Sequence, residues 1–414
     1  MSCVVKLRRA QIRKASLAMN DHTDASKRVH VLTSLCLLWL LGTALRFTIL
    51  AVPPVIPLIH DEMKLSETQV GILTGLPSML FAIAAVPGSL LIARIGINAA
   101  LVVGIAITAV GGALRGALPD ITWLYSMTVV TGAGVAIMQV AMPPTVRVWV
   151  PQRIGFATAV YTNGLLIGEI LPVGLMLPLI LPMVEGKWQW GFVVWSAPVA
   201  VIGIAVVIFA PRPRPANGTQ SGRRWWPDWN NSLIWRLGLM LGSVNAIYFG
   251  INAFIPDYLK SNGEDGWISA ALSALNVGQL PASIILLAVA GRLERKIWPY
   301  VVCGLIFIVA TAGIVFGSGA LVVGAAALQG FAAASILILV LALPPLLSPP
   351  EDVHRVTAAM FTISYSCAVL IPVISGLAWD ISGIAGMAFL PIALCGLLLI
   401  ILAPAINHIP RIEG

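Results

Sequence analysis

The sequence predicts an all-α membrane protein of twelve transmembrane helices in two pseudo-symmetric six-helix bundles, on three observations. First, only 10% of the 414 residues are charged while 58% are hydrophobic. A water-soluble domain carries about 25% charged residues because its surface must face water, so most of this surface faces something else. Second, apolar runs recur along the chain, each long enough to cross a hydrocarbon core about 30 Å thick, which takes about 20 helical residues. The 38 glycines and 28 prolines disfavour soluble helices but are common in membrane-spanning ones, and the short alternating segments of a membrane β-barrel are not visible. Third, the longest internal polar stretch, residues 211–232, divides the runs six and six.

In chain order the spans read 31–59, 68–92, 98–118, 121–146, 154–183 and 190–210 for the first bundle, bounded as 31–210. The second bundle, 233–406, holds 233–259, 267–290, 299–318, 320–347, 357–379 and 385–406. Between them lies PRPRPANGTQSGRRWWPDWNNS, whose Pro, Gly and Arg content reads as a linker. Tails 1–30 and 407–414 flank the bundles. Residues 1–28 are basic and polar, and the apolar run that follows is too long for a signal-peptide core. Met19 opens MNDHTDASKRVHVL as a second candidate start, with residues 1–18 expected to be disordered if present.

Charge sets the orientation, because Lys and Arg are retained on the cytoplasmic side. Of the 25 basic residues, Lys64, Lys187 and Lys260 fall on one side, Arg46 and Arg115 fall within spans, and all the others fall on the side of the chain ends. Both termini are therefore expected to be cytoplasmic, in a bacterial inner membrane. The net charge of +8 reads as a topology signal, and no nucleic-acid partner is expected.

The two halves repeat. Pro57 near the end of span one and Pro256 near the end of span seven stand 37 and 36 residues before Arg94 and Arg292, each in a short basic loop that follows a Gly-containing apolar run. The first of these, GSLLIARIG, resembles the loop signature of the major facilitator superfamily, a Gly followed by Asp-Arg-x-Gly-Arg. Gly88, Arg94 and Gly96 remain; Ala93 stands in place of the Asp, and Ile97 and Asn98 in place of the trailing basic residues. The resemblance implies a gating role for Arg94, in a loop that lacks the other charges of the motif. ALRFTILAVPPVIPLI, GALR, IMQVAMPPTVRVWVPQR and AIYFGINAFIPDYL resemble the cyanate and nitroimidazole permease branch of that superfamily. That likeness implies carriage of small anions or small neutral heterocycles, with spans one and seven lining a central cavity.

Polar residues inside the spans are the candidate site. Arg46 lies near the middle of span one, where a charge costs at least about 2.5–3.5 kcal/mol and usually faces a cavity or a partner. It reads either as the anchor for an anionic or polarised solute or as half of a structural pair. Shifting Arg46 by the 199 residues between the two prolines lands on Asn245, and Asn245, Tyr248 and Asn252 share one helix face by i, i+3, i+7 spacing. These residues can donate to a planar or anionic solute, or tie helices together. Glu169 is the one acid well inside a span, with Thr158 and Thr162 on its face. It reads as a proton-coupling carboxylate or as the salt-bridge partner of Arg46, and the two roles are compatible. Gly164 and Gly168 beside it read as helix-packing positions.

Arg115, near the outer end of span three, reads as a snorkelling interfacial residue or as an entrance or gating residue. In span eight, Ser269, Ser273, Asn276, Gln279 and Ser283 form a stripe that most naturally faces water in a cavity. Gln139 in span four and Tyr365 in span eleven are further candidates. Prolines 53, 54 and 57 are expected to bend span one and free carbonyls.

No phosphate-binding GxxxxGK[ST], HExxH, CxxC or GxSxG context occurs, and the five cysteines are scattered without metal-ligand spacing. The chain reads as a non-enzyme without cofactor or metal. Its expected partners are a small-molecule solute and the lipid bilayer, and a monomer suffices. The reading is a proton-coupled secondary transporter working by alternating access. Efflux of neutral heteroaromatic or drug-like compounds and a non-translocating receptor remain open.

Overall fold

The computed structural model describes residues 31–65, 67–211 and 225–404. The two tails, most of the linker and the candidate start at Met19 lie outside them. Among the described residues, twelve helices are long and apolar enough to cross a membrane, labelled here α1 (Val31–Met63), α2 (Glu67–Ile95), α3 (Ile97–Leu114), α4 (Ile121–Trp149), α5 (Pro151–Met183), α6 (Trp188–Phe209), α7 (Ser232–Ser261), α8 (Asp265–Leu293), α9 (Trp298–Phe316), α10 (Ala320–Leu347), α11 (Val353–Ser382) and α12 (Ala385–Leu402). Polar residues at the ends fix where helices begin and stop. Asp120 accepts from the Trp123 N–H at 2.7 Å to start α4, and Asn231 accepts from the Leu233 N–H at 3.0 Å to start α7. Gly383, at φ 68°, closes α11 in the left-handed conformation.

Helices α1–α6 and α7–α12 form two bundles that meet through α2 against α11, α5 against α8 and α10, and α4 against α11. Within the pair, α10 is the interior element, with 83% of its apolar window buried, against 33% for α6 and α12. The outer helices present unbroken apolar faces, such as Val201, Ile204, Val207 and Ile208 on α6, all at least 60% exposed. In water such faces would be untenable; in hydrocarbon they are the solvated surface.

Small residues bring the central helices together. A Cβ on Gly164 of α5 would overlap the Trp39 carbonyl oxygen of α1, and one on Gly168 would lie 2.6 Å from the Thr43 carbonyl oxygen. The obstacle is backbone, which cannot swing aside, so Gly164→Ala is expected to destabilise by about 1–3 kcal/mol. Gly324, with nothing within 4 Å of its Cβ position, is the control. Thermal melting in detergent should lower Tm by several degrees for Gly164→Ala and leave Gly324→Ala at or above the wild type.

Prolines break the first span where the sequence places them. In α1 the regular helix gives way at Ala51–Val52 to a 3-10 turn at Pro53–Val55. Pro53 has no N–H, so the Ile49 carbonyl is met instead by Val52 at 3.4 Å, and the Thr48 carbonyl is left for a side chain. Span eight, read as one helix, is instead two segments, Ile268–Val277 and Gln279–Leu293, joined at Gly278. Gly278 packs on the Ala327 carbonyl of α10, where a side chain would collide. Span five likewise contains a π-helical turn, Met176–Ile180, just after Pro172.

Candidate functional site

A cavity of about 640 Å³ lies between the bundles. Its lining runs from mid-membrane residues such as Gln139, Phe361 and Tyr365 to residues nearer the side remote from the chain ends, including Val52 and Pro53 of α1, Leu73 and Pro77 of α2, Ile170 and Val173 of α5, and Leu272 and Ser273 of α8. On the side of the chain ends the bundles are locked together. Arg147 of α4 donates to the carbonyls of Pro345, at 2.6 Å, and Ser348 of α10. Asn163 of α5 donates to Ser283 of α8 at 2.9 Å, and Thr362 of α11 to the Ala82 carbonyl of α2 at 2.9 Å. Trp225 and Trp226, at the end of the linker, accept through their carbonyls from Ser89 of α2 and Arg355 of α11. The cavity is therefore open away from the chain ends and closed towards them.

The sequence-selected residues converge here. Arg46, Gln139, Glu169, Asn245, Tyr248, Asn252, Asn276, Gln279 and Tyr365 all line the cavity, and Arg115 reaches its wall. Arg46 Nε lies 3.0 Å from Glu169 Oε1, with the two side chains 13% and 21% exposed. The distance is that of an ion pair, yet the Nε–H is misaligned for a hydrogen bond, so the contact is held by charge more than by directional bonding. The guanidinium also lies over the Phe81 ring, 5.7 Å from its centre, and within hydrogen-bonding reach of Tyr365. Tyr365 in turn accepts from Gln139 Nε2 at 2.7 Å, a contact from α11 to α4 that floors the cavity.

Across the cavity, the shift by one repeat is met in space: Asn245 of α7 faces the same volume as Arg46 of α1. Asn245 Nδ2 donates to Ser364 Oγ at 2.8 Å, and the Tyr248 hydroxyl donates to Asn276 Oδ1 at 2.7 Å. Asn252 and Asn276 each donate to a backbone carbonyl one turn back, Tyr248 and Leu272, at 2.8 Å. Those amide N–H groups hold the side chains in place. The stripe on α8 divides: Ser273, Asn276 and Gln279 line the cavity, whereas Ser283 is buried in the contact with α5.

Two sequence expectations are corrected by packing. Arg115 does not snorkel to an interface: it is 1% exposed, donates to the Thr48 carbonyl freed by the proline break at 2.9 Å, and lies over the Phe192 ring. Thr158 and Thr162 do not join Glu169 at the cavity; both are fully buried, and Tyr161, Leu165 and Leu166 stand there instead. Arg94 is exposed at the end of α2, away from the cavity. In the same loop Asn98 donates to the Pro211 carbonyl at 2.7 Å and accepts from Trp149. Phe81, Tyr161, Phe361 and Arg147 were not singled out by sequence, since nothing in one apolar helix says which neighbour it meets.

One ionisable group outside the spans sits in the closed contact. Glu294, at the end of α8, is buried against Gly155 of α5, and burial pushes its carboxyl up to about 7, with Arg295 pulling the other way. The packed state thus keeps a proton that an exposed carboxyl, near 4.3, has lost. Its contribution to stability falls as pH rises from about 4.3 and is fully lost above about 7. Glu294→Gln is expected to remove that slope, read as melting temperature between pH 5 and 8; identical profiles for variant and wild type would contradict it.

Comparison with known proteins follows this geometry. A family model described as Major Facilitator Superfamily matches residues 38–275, more than half of the chain. The chain is 26% identical to the uncharacterized transporter YycB of Bacillus subtilis (strain 168), over 61% of this chain and 62% of that protein. It is 24% identical to the cyanate transport protein CynX of Escherichia coli (strain K12), over 91% and 98%, and 24% identical to the 2-nitroimidazole transporter of the same organism, over 54% and 56%. The chain thus spans less than two thirds of the Bacillus and nitroimidazole relatives and nearly all of the cyanate one. In structure it is similar to the proton:xylose symporter XylE, with TM-score 0.74 and 13% identity over 93% of this chain and 97% of that one. It is also similar to FucP in the outward conformation, with TM-score 0.70 and 15% identity over 91% and 99%.

Proposed function

Because the chain belongs to the major facilitator superfamily, we propose that it is a proton-coupled secondary transporter that carries a small anion or small polar planar solute by alternating access. The observation that carries this reading is the Arg46–Glu169 pair, set in a cavity shared by both bundles and open on one side. A buried ion pair is a weak source of stability, since desolvation offsets most of the attraction. It is well suited to exchange partners: a proton on Glu169 releases the guanidinium, which then takes the solute's negative or electron-rich group. Asn245, Tyr248 and Asn252 hold the solute from α7, with Asn276 and Gln279 behind them on α8, and Tyr365 and Gln139 form the floor that must part for release inward. Arg94 takes part in gating on the side of the chain ends. The protein sits as a monomer in a bacterial inner membrane with both ends in the cytoplasm.

The relatives that carry cyanate and 2-nitroimidazole support a solute of this size and shape. A second reading, efflux of neutral heteroaromatic compounds, is favoured by the rings around the site: Tyr248 and Phe249 in edge contact at 5.5 Å, and Phe361 stacked on Tyr365 at 6.1 Å. Counterflow in proteoliposomes distinguishes them. Vesicles preloaded with unlabelled cyanate, nitrate or 2-nitroimidazole are offered the labelled solute outside. The proposal expects transient accumulation with at least one anion; exchange of the neutral heterocycle alone would shift the assignment to efflux. Binding without exchange of any solute would indicate a receptor and contradict transport.

A further inference from the structure

We propose that Arg115 builds a separate binding site for a small inorganic monoanion, at the junction of α1, α3 and α6 where it meets the cavity wall. The first observation is electrostatic. Arg46 faces Glu169 at 3.0 Å, so that pair adds no net charge to the cavity. Arg115 is 1% exposed and, among the described residues, has no acidic partner in ion-pair range. A buried guanidinium without a counter-charge carries a large desolvation penalty. One carbonyl and the face of Phe192 offset only part of it.

The second observation is a surplus of donors. Nη1 of Arg115 is used on the Thr48 carbonyl, but its Nε and Nη2 are buried with no partner. Thr48 Oγ1, Ser196 Oγ and Trp195 Nε1 are likewise buried and unpartnered. These groups are neighbours: a Cβ on Gly112, one turn before Arg115, would lie 2.6 Å from Ser196 Oγ and 2.8 Å from Thr48 Cγ2, and Trp195 packs on Phe47 at 5.4 Å. Guanidinium and indole N–H groups only donate, and hydroxyls rotate to donate. Buried donors of this kind are normally satisfied. A set that holds surplus donors, a full positive charge and no carboxylate takes an anion. The close packing of Ser196 and Thr48 on Gly112 favours an anion of a few heavy atoms, held where Arg115 reaches the cavity wall.

This site rests on the transporter reading for its access route, the cavity, and not for its ligand. The test is saturable stabilisation of the purified full-length protein by nitrate and by azide in halide-free buffer. Wild type should show a concentration-dependent rise in Tm. Arg115→Gln should weaken the apparent affinity at least tenfold, and Arg115→Lys, which keeps the charge but loses the fork, should fall between. The exposed Lys187→Gln should match the wild type. If Arg115→Gln does not fold, Ser196→Ala with Thr48→Val should still weaken the anion several-fold. No saturable shift in wild type, or affinities in the Arg115 or Ser196/Thr48 variants within twofold of it, overturns the site. Failure of counterflow with Arg115-dependent anion binding intact would sink the transporter reading and leave this one standing.

Discussion

Arg46→Gln is expected to reduce transport by about two orders of magnitude or more while the protein still folds and inserts. Losing one partner of a close, partly desolvated charge pair costs about 2–5 kcal/mol in binding, and two decades correspond to about 2.8 kcal/mol at 1.4 kcal/mol per decade. Gln is shorter and keeps some donors but neither the charge nor the face that lies over Phe81. The single change also leaves Glu169 opposite a neutral amide, so the double variant Arg46→Gln/Glu169→Gln should melt above Arg46→Gln, yet transport no better. The measurement is initial uptake in proteoliposomes beside Tm of each variant. Normal uptake by a well-folded Arg46→Gln protein would reduce Arg46 to a structural residue and favour the efflux reading.

Glu169→Gln is expected to do something different: to keep exchange and lose accumulation. The amide is nearly isosteric with a protonated carboxyl, so Arg46 stays released and solute still binds and crosses. What is lost is the ability to trade a proton for it. Counterflow should persist within a few-fold of wild type, whereas uptake against a gradient driven by an imposed pH difference should fall to the level of empty vesicles. Its dependence on pH should flatten.

The sequence made the spans legible because hydropathy integrates over about 20 residues and survives local irregularity. Arg46 and Glu169 stood out for the same reason, as charges where charge is expensive. The spacing of the repeat placed Asn245 opposite Arg46, and the four-three-three-four stepping of the α8 stripe placed Asn276 and Gln279 at the cavity. What stayed hidden is what depends on neighbours. Arg115 sits close to a span end, where snorkelling is the ordinary outcome, and its burial follows from α6 packing over it through Phe192 and Ser196. Ser283 continues the stripe of α8 but faces Asn163, because the break at Gly278 turns the second segment towards α5. Arg147 closes the far side through backbone carbonyls at Pro345 and Ser348, and carbonyl acceptors leave no trace in a residue pattern.

In the proposed mechanism one pair, Arg46 with Glu169, exchanges a proton for a solute. Proteoliposomes holding a trapped pH indicator, given solute under no other gradient, test it most directly. A solute-driven change of internal pH is expected in wild type, and none in Glu169→Gln vesicles that still perform counterflow. The same proton movement per solute in Glu169→Gln as in wild type would contradict it.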